Sequence, residues 1–176
     1  MRFSTLPAAL LACAATRVLA DGAAIVSAID TISSATTTLN NTITAFPSNP
    51  LLALGDVLPL LTDSTALLND INAATKTAQS SANLTTAEAF NVAIATLSLQ
   101  STVESVLDNI VSAKSKFDKL LIVSPVVLLN LKLEKQATDK FAAAVVSKVP
   151  AALQSTAESL ITPIDNAFTA AIDDYE

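Results

Sequence analysis

Apolar residues recur along this chain at the alternating four- and three-residue steps of helices that bury one stripe. Ile25, Ile29, Ile32, Leu39, Ile43 and Phe46 form the first run, with Thr36 at the missing step, and predict a helix over 23–45. Phe46-Pro47-Ser48-Asn49-Pro50 ends it, because each proline removes a donor and biases its predecessor away from helix. A second helix is predicted from 51 to about 79, with a short first turn or kink at Gly55 and Pro59 and regular helix from about Pro59. Residues 80–84 read as a linker, and Thr85-Thr86-Ala87-Glu88 as a capping box that opens a third helix. Its stripe runs through Phe90, Ile94, Leu97, Val103, Val106, Ile110, Phe117 and Leu120 to about 121. Ser124-Pro125 offers a cap and a first-turn proline to a fourth helix over 126–147. That helix is apolar nearly all round at Val126, Val127, Leu128, Leu129, Leu131 and Leu133, which predicts a central position. A fifth begins at Pro150 and carries Leu153, Leu160, Ile161, Ile164, Phe168 and Ile172, with a kink expected at Pro163. The fold expected is all-α, an antiparallel bundle of about five amphipathic helices.

Residues 1–20 stand apart from that bundle. Arg2, an apolar stretch and Val18-Leu19-Ala20 have the form of a secretory signal cleaved before Asp21, leaving one helical-bundle domain over 21–176. The apolar run is too short for a membrane anchor and is flanked by Pro7 and Arg17. Cleavage removes Cys13 and both arginines, so the mature chain has neither residue type and its formal charge falls from -6 to -8. No later membrane span is expected, since 31–55 is broken by Asn40, Asn41, Pro47 and Pro50. The acidic end Asp173-Asp174-Tyr175-Glu176 lacks the hydrophobic tail of a GPI signal, so the product is expected to be released.

Composition narrows the chemistry. The chain has no histidine, the commonest acid–base group and metal ligand, and its two glycines cannot build a phosphate cradle. An acidic balance argues against nucleic acid. Ser115 lies between Lys114 and Lys116, and Glu104 sits one turn from Asp108, but both sets read as solvated helix surface rather than catalytic pairs. Asp56, Asp63 and Asp70 share a face but lie about 10 Å apart in succession, a poor metal site. A non-enzymatic protein without cofactor or metal is expected.

What remains is binding. Lysines gather at 114, 116, 119, 132, 135, 140 and 148, where they either hold an anion such as a fatty-acid carboxylate, with Lys119 and Lys132 as contacts, or pair with the acidic first half of the bundle. Phe46, Phe90, Ile94, Phe117, Leu129, Phe141 and Phe168 either fill a core or line an elongated apolar cavity among small Ala and Thr side chains. Asn40-Asn41-Thr42 and Asn83-Leu84-Thr85 are glycosylation sequons; Asn83 lies in a linker, whereas Asn40 adjoins the buried stripe.

The leader, the Ile-x-x-Ile stripe near the start, the stretch Leu84-Thr85-Thr86-Ala87-Glu88-Ala89-Phe90 and the segments Ile110-Val111-Ser112-Ala113-Lys114 and from Ala152 onward resemble the fungal hydrophobic surface binding protein A family, which includes cell-wall galactomannoproteins. The resemblance covers essentially the whole mature chain. It implies a secreted or wall-associated helical bundle that binds hydrophobic surfaces, encloses fatty acids in some members, and helps hydrolases onto hydrophobic polymers. The Ser/Thr/Pro-rich tail and anchor signal of wall-attached relatives are not found in this sequence. The function expected is extracellular binding of hydrophobic surfaces or amphiphilic lipids, without nucleic acid; the alternative is a structural or antigenic cell-wall mannoprotein with no specific small ligand.

Overall fold

The computed structural model describes residues 12–176, with side chains from Asp21 onward except that of Pro50. The start of the expected leader, 1–11, and the leader's side chains lie outside the described residues. Five helices follow in order: α1 (Ala12–Ala45), α2 (Pro50–Ser80), α3 (Thr86–Phe117), α4 (Val123–Val146) and α5 (Gln154–Tyr175), the last preceded by a 3-10 turn at Ala151–Leu153. The all-α antiparallel bundle expected from the periodicity is the fold observed.

The packing order is a closed ring. α1 lies between α2 and α3, α2 also packs on α4, and α5 closes the circuit between α3 and α4, which barely touch each other. Each helix therefore turns one stripe inward and none occupies the centre. This corrects the central position expected for α4: Val127, Leu131 and Phe141 face the interior, while Leu129 and Leu133 are exposed.

α1 follows its predicted stripe, with Ile25, Ile29, Ile32, Leu39, Ile43 and Phe46 all buried. Thr36 is buried among them because its hydroxyl is satisfied locally, donating to the Ile32 carbonyl at 2.8 Å. That arrangement recurs throughout the ring: Thr31, Ser34, Thr37 and Thr44 of α1, and Thr62, Thr65 and Thr75 of α2, donate to the carbonyl four residues back.

α2 starts at Pro50 and not at Pro59. Asn49 caps it, its Oδ1 accepting from the Leu51 amide at 3.0 Å, and Pro50 takes the first turn. Pro59 lies inside the helix; the carbonyl it leaves without a donor belongs to Gly55, and both residues are exposed, so water can serve it. By length and composition, Leu51–Ser80 is the one described helix apolar enough to cross a membrane, which corrects the expectation of none. In the ring, its Leu60, Leu67, Ile71, Ala74 and Ala78 are buried.

The capping box of α3 is present in both directions, with the Thr85 amide donating to Glu88 Oε2 at 2.9 Å and the Glu88 amide to Thr85 Oγ1 at 3.3 Å. The Thr85 hydroxyl, donating to the same Oε2 at 2.7 Å, and then the Thr85 amide hold the Glu88 carboxyl below its ordinary value. α3 stops at Phe117, earlier than predicted, and Ser124 does not cap α4: its hydroxyl donates instead to Asp118 Oδ1 at 2.6 Å, tying the turn together. Pro163 sits inside α5 without ending it. At the far end of α5, the Tyr175 hydroxyl donates to the Ile110 carbonyl at 2.7 Å, locking the last turn onto α3.

Among the described residues the lysines do not form ion pairs with the acidic first half. The ion pairs join Lys114 to Asp118, Lys132 to Glu176, and Lys135 to Asp139 and Asp165, all in the second half of the chain. Lys116 donates to the Phe46 carbonyl at 2.8 Å and Lys148 to the Gln79 carbonyl at 3.0 Å. Both satisfy acceptors at the C-terminal ends of α1 and α2, where a cation is favoured.

Candidate functional site

The stripe that α4 turns inward is interrupted by one acid. Glu134 falls seven residues after Val127 and seven before Phe141 and is only 4% exposed. The Ser64 hydroxyl of α2 donates to its Oε1 at 2.7 Å, its one side-chain hydrogen bond among the described residues. Burial pushes the carboxyl up to about 7, because the charged form is penalised in apolar surroundings; the Ser64 bond opposes this only in part.

Two narrow voids meet at Glu134. One, of about 20 Å³, extends past Leu60 and Ile43 to Phe117; the other, of about 30 Å³, extends past Ile71 to Phe141 and Phe168. Apart from Glu134 and Ser64, the polar side chains lining them are Asn130, Thr36 and Thr138, of which Asn130 and Thr138 stand one turn either side of Glu134 on α4. The voids are small beside ligand pockets of roughly 300–1,000 Å³, so any larger guest must part the helices. A third apolar recess of about 70 Å³ opens between the start of α3, the end of α4 and the start of α5, lined by Phe90, Val92, Val149, Leu153 and Leu160.

The predicted apolar residues divide between interior and surface. Phe117 borders the first void and Phe141 and Phe168 the second. Phe46 is buried against Phe117, the rings edge-to-face with centroids 4.8 Å apart. Phe90, at 58% exposed, reaches only the outer recess; Ile94, at 67%, lines a surface groove; Leu129, at 56%, points away from the interior. The reason on α3 is register: Ala89, Val92, Leu99 and Val103 form its inner face, so the larger Phe90, Ile94 and Leu97 lie off it. The two predicted carboxylate contacts are also elsewhere. Lys119 reaches the Ser48 carbonyl at 3.4 Å, and Lys132 pairs with Glu176 at 2.7 Å on the surface.

Sequence reasoning missed Glu134 and Ser64. The available signal was a lone acid at the middle of the 127–134–141 heptad positions, where α4 otherwise presents apolar side chains. Asn83 is exposed in its linker. The Asn40 amide is engaged with α3, accepting from Asn109 at 2.8 Å.

One end of the bundle is apolar on the outside. Leu51, Leu52, Leu54 and Leu58 at the start of α2, and Leu121 and Ile122 in the α3–α4 turn, are all exposed, Leu121 at 90%. The reach of Lys116 and Lys119 to the α1–α2 loop sets these two groups at the same end.

The structure is thus a closed helical ring with an apolar interior and an apolar outer end. The family model described as hydrophobic surface binding protein A matches residues 22–147, and the chain belongs to that family. A relative, cell wall mannoprotein 1 of Aspergillus fumigatus, is 30% identical over 151 residues, which cover 86% of this chain; the match spans about half, 51%, of the relative's length. Among solved structures, Afmp4p in complex with palmitic acid superposes with a TM-score of 0.82 at 28% identity, covering 88% of this chain and 99% of that one. Ligand-binding domain 1 of Penicillium marneffei MP1 protein, complexed with arachidonic acids, gives a TM-score of 0.81 at 19% identity, covering 89% and 99%, a likeness of fold alone.

Proposed function

We propose that this chain is a secreted, non-enzymatic binder of hydrophobic surfaces and of single-chain amphiphiles such as fatty acids, which it takes up inside the ring. The observation that carries the reading is the interior itself: a run of apolar side chains from Phe117 to Phe168, continuous but for the Glu134–Ser64 pair and a few small polar groups. The palmitic acid bound by Afmp4p supports it. Transfer of an alkyl chain from water into such surroundings is worth about 0.8 kcal/mol per methylene.

Uptake requires the helices to separate, and the seam between α4 and α5 suits that movement. It is faced by the small residues Ala142 and Ala143 and clasped by Lys135 and Asp165 near the surface. In this reading Phe117, Phe141 and Phe168 line the opened interior, and the exposed leucines of α2 take up polymer or lipid surfaces. Adsorption through that end would also serve any hydrolase working on a hydrophobic polymer.

The test is to strip the purified protein of lipid, incubate it with palmitic acid, and measure bound lipid together with adsorption to a hydrophobic polymer. Absence of both overturns the proposal. The exposed Asn83 and the cell-wall name of the relative favour a second reading, a wall mannoprotein carrying a glycan at that site; an occupied Asn83 with no lipid uptake would establish it.

A further inference from the structure

We propose that Glu134 and Ser64 form the head-group site of the ring, and that they hold a fatty-acid carboxylate only while Glu134 carries a proton, so that the protein loads at mildly acidic pH and releases at alkaline pH. This rests on the uptake proposed above and adds its specificity and control.

Four observations converge. Glu134 stands where the two voids meet, so a chain threaded through either passes this residue and can seat its polar end there. Its side chain is buried and has one hydrogen bond, to Oε1, leaving Oε2 for a guest. It is also the only titratable group among the residues lining either void. Charged side chains on the surrounding helices are engaged or exposed elsewhere: Asp30 of α1 and Asp108 of α3 are exposed, Asp63 of α2 accepts from Thr42, Glu104 of α3 accepts from Gln100, and Lys135 of α4 pairs with Asp165 of α5.

The chemistry follows from that isolation. Among the described residues no cation lines either void, so a carboxylate is held there by hydrogen-bond donors. A neutral Glu134 supplies one: its O–H donates to the guest carboxylate, and the two carboxyl groups share one proton and one negative charge. With Glu134 ionised the site would hold two like charges in apolar surroundings, and binding must first draw a proton from solvent. The buried carboxyl's ordinary value is raised to about 7, which sets the changeover within the range a secreted protein meets. An alcohol behaves differently, because its hydroxyl can donate to ionised Glu134 and accept from neutral Glu134. A phosphate monoester lipid brings more charge near neutral pH than one shared proton can offset and is excluded.

The experiment measures binding of dodecanoic acid and 1-dodecanol by the purified protein and by Glu134→Gln at pH 5.5 and pH 8.5. Glutamine keeps the Ser64 contact and a donor but does not titrate. Its own pH response with dodecanoic acid therefore isolates the ligand's ionisation. We expect the wild-type affinity for dodecanoic acid to fall at least tenfold more than that of Glu134→Gln over this range, and the affinity for dodecanol to change less than threefold. Ser64→Ala should move the midpoint of the wild-type response to higher pH, since the lost hydrogen bond favoured the charged form. An equal pH response in wild type and Glu134→Gln overturns this proposal alone. Absence of binding of either lipid at both pH values overturns the uptake reading and this proposal with it.

Discussion

Ser64 and Glu134 are 70 residues apart in the chain, and a 2.7 Å hydrogen bond joins them across the inside of the ring. The pair couples α2 to α4 and places an ionisable group where water does not reach freely. Its first consequence concerns stability without any ligand.

The folded protein holds the Glu134 proton up to about pH 7, whereas the unfolded chain releases it near 4.5. Between those values the folded state binds more protons, so stability declines as pH rises through the window and levels off above it. The full difference is about 3 kcal/mol at roughly 1.4 kcal/mol per pH unit. Urea denaturation at pH 5 and pH 8 should show most of this loss in the wild type. Glu134→Gln should be nearly flat over the same interval and more stable than the wild type at pH 8.

At the start of α3, Thr85→Ala removes the hydroxyl that accepts from the Glu88 amide. A loss of about 1 kcal/mol is expected from chemical denaturation at neutral pH. Because Glu88 is held below its ordinary value, the capping contribution is present at neutral pH and fades as acid protonates the folded carboxylate. The deficit of the variant should shrink accordingly at low pH.

Phe117 is fully buried and packs edge-to-face on Phe46, whereas Phe90 is largely exposed. Phe117→Ala should cost about 3–5 kcal/mol, and thermal melting should register it directly. Phe90→Ala should stay within about 1 kcal/mol, despite the equal place both residues hold in the sequence pattern.

The outer leucines can be separated from the interior. Replacing Leu51, Leu54 and Leu58 with serine should reduce retention on octyl-coated beads several-fold while changing the stability by less than about 0.5 kcal/mol per site. Retention equal to that of the wild type would place surface binding elsewhere on the molecule.

Helix number, order and most of the core were legible in the sequence because a stripe repeated over thirty residues leaves one inward face. α1 is the clearest case, buried at every predicted position including Thr36. Helix ends were less legible where two signals compete. Ser124 and Pro125 look like a cap and first turn, yet Asp118 takes the serine hydroxyl, and the helix begins before it. On α3 the side-chain size misled: Phe90, Ile94 and Leu97 are the bulky members, but small Ala89 and Val92 let the neighbouring helices approach and so define the inner face. Periodicity cannot show that a ring has no central helix, which is why α4 seemed destined for the middle. Glu134 was overlooked because acids usually mark the solvent side, and only the packing of four neighbours shows that this one does not.

The hydroxyls that donate to their own helix carbonyls bear on what happens where water ends. Thr36 and Thr75 lie on the inner face of the ring and make this bond within a single helix. A helix with its side-chain donors satisfied internally can rest against oil, wax or plastic without stranding them. On such a phase the ring could unroll, each helix intact and lying flat with its former inward stripe against the substrate. Helicity measured by circular dichroism should then persist on an apolar film even as the Ser64–Glu134 contact is lost.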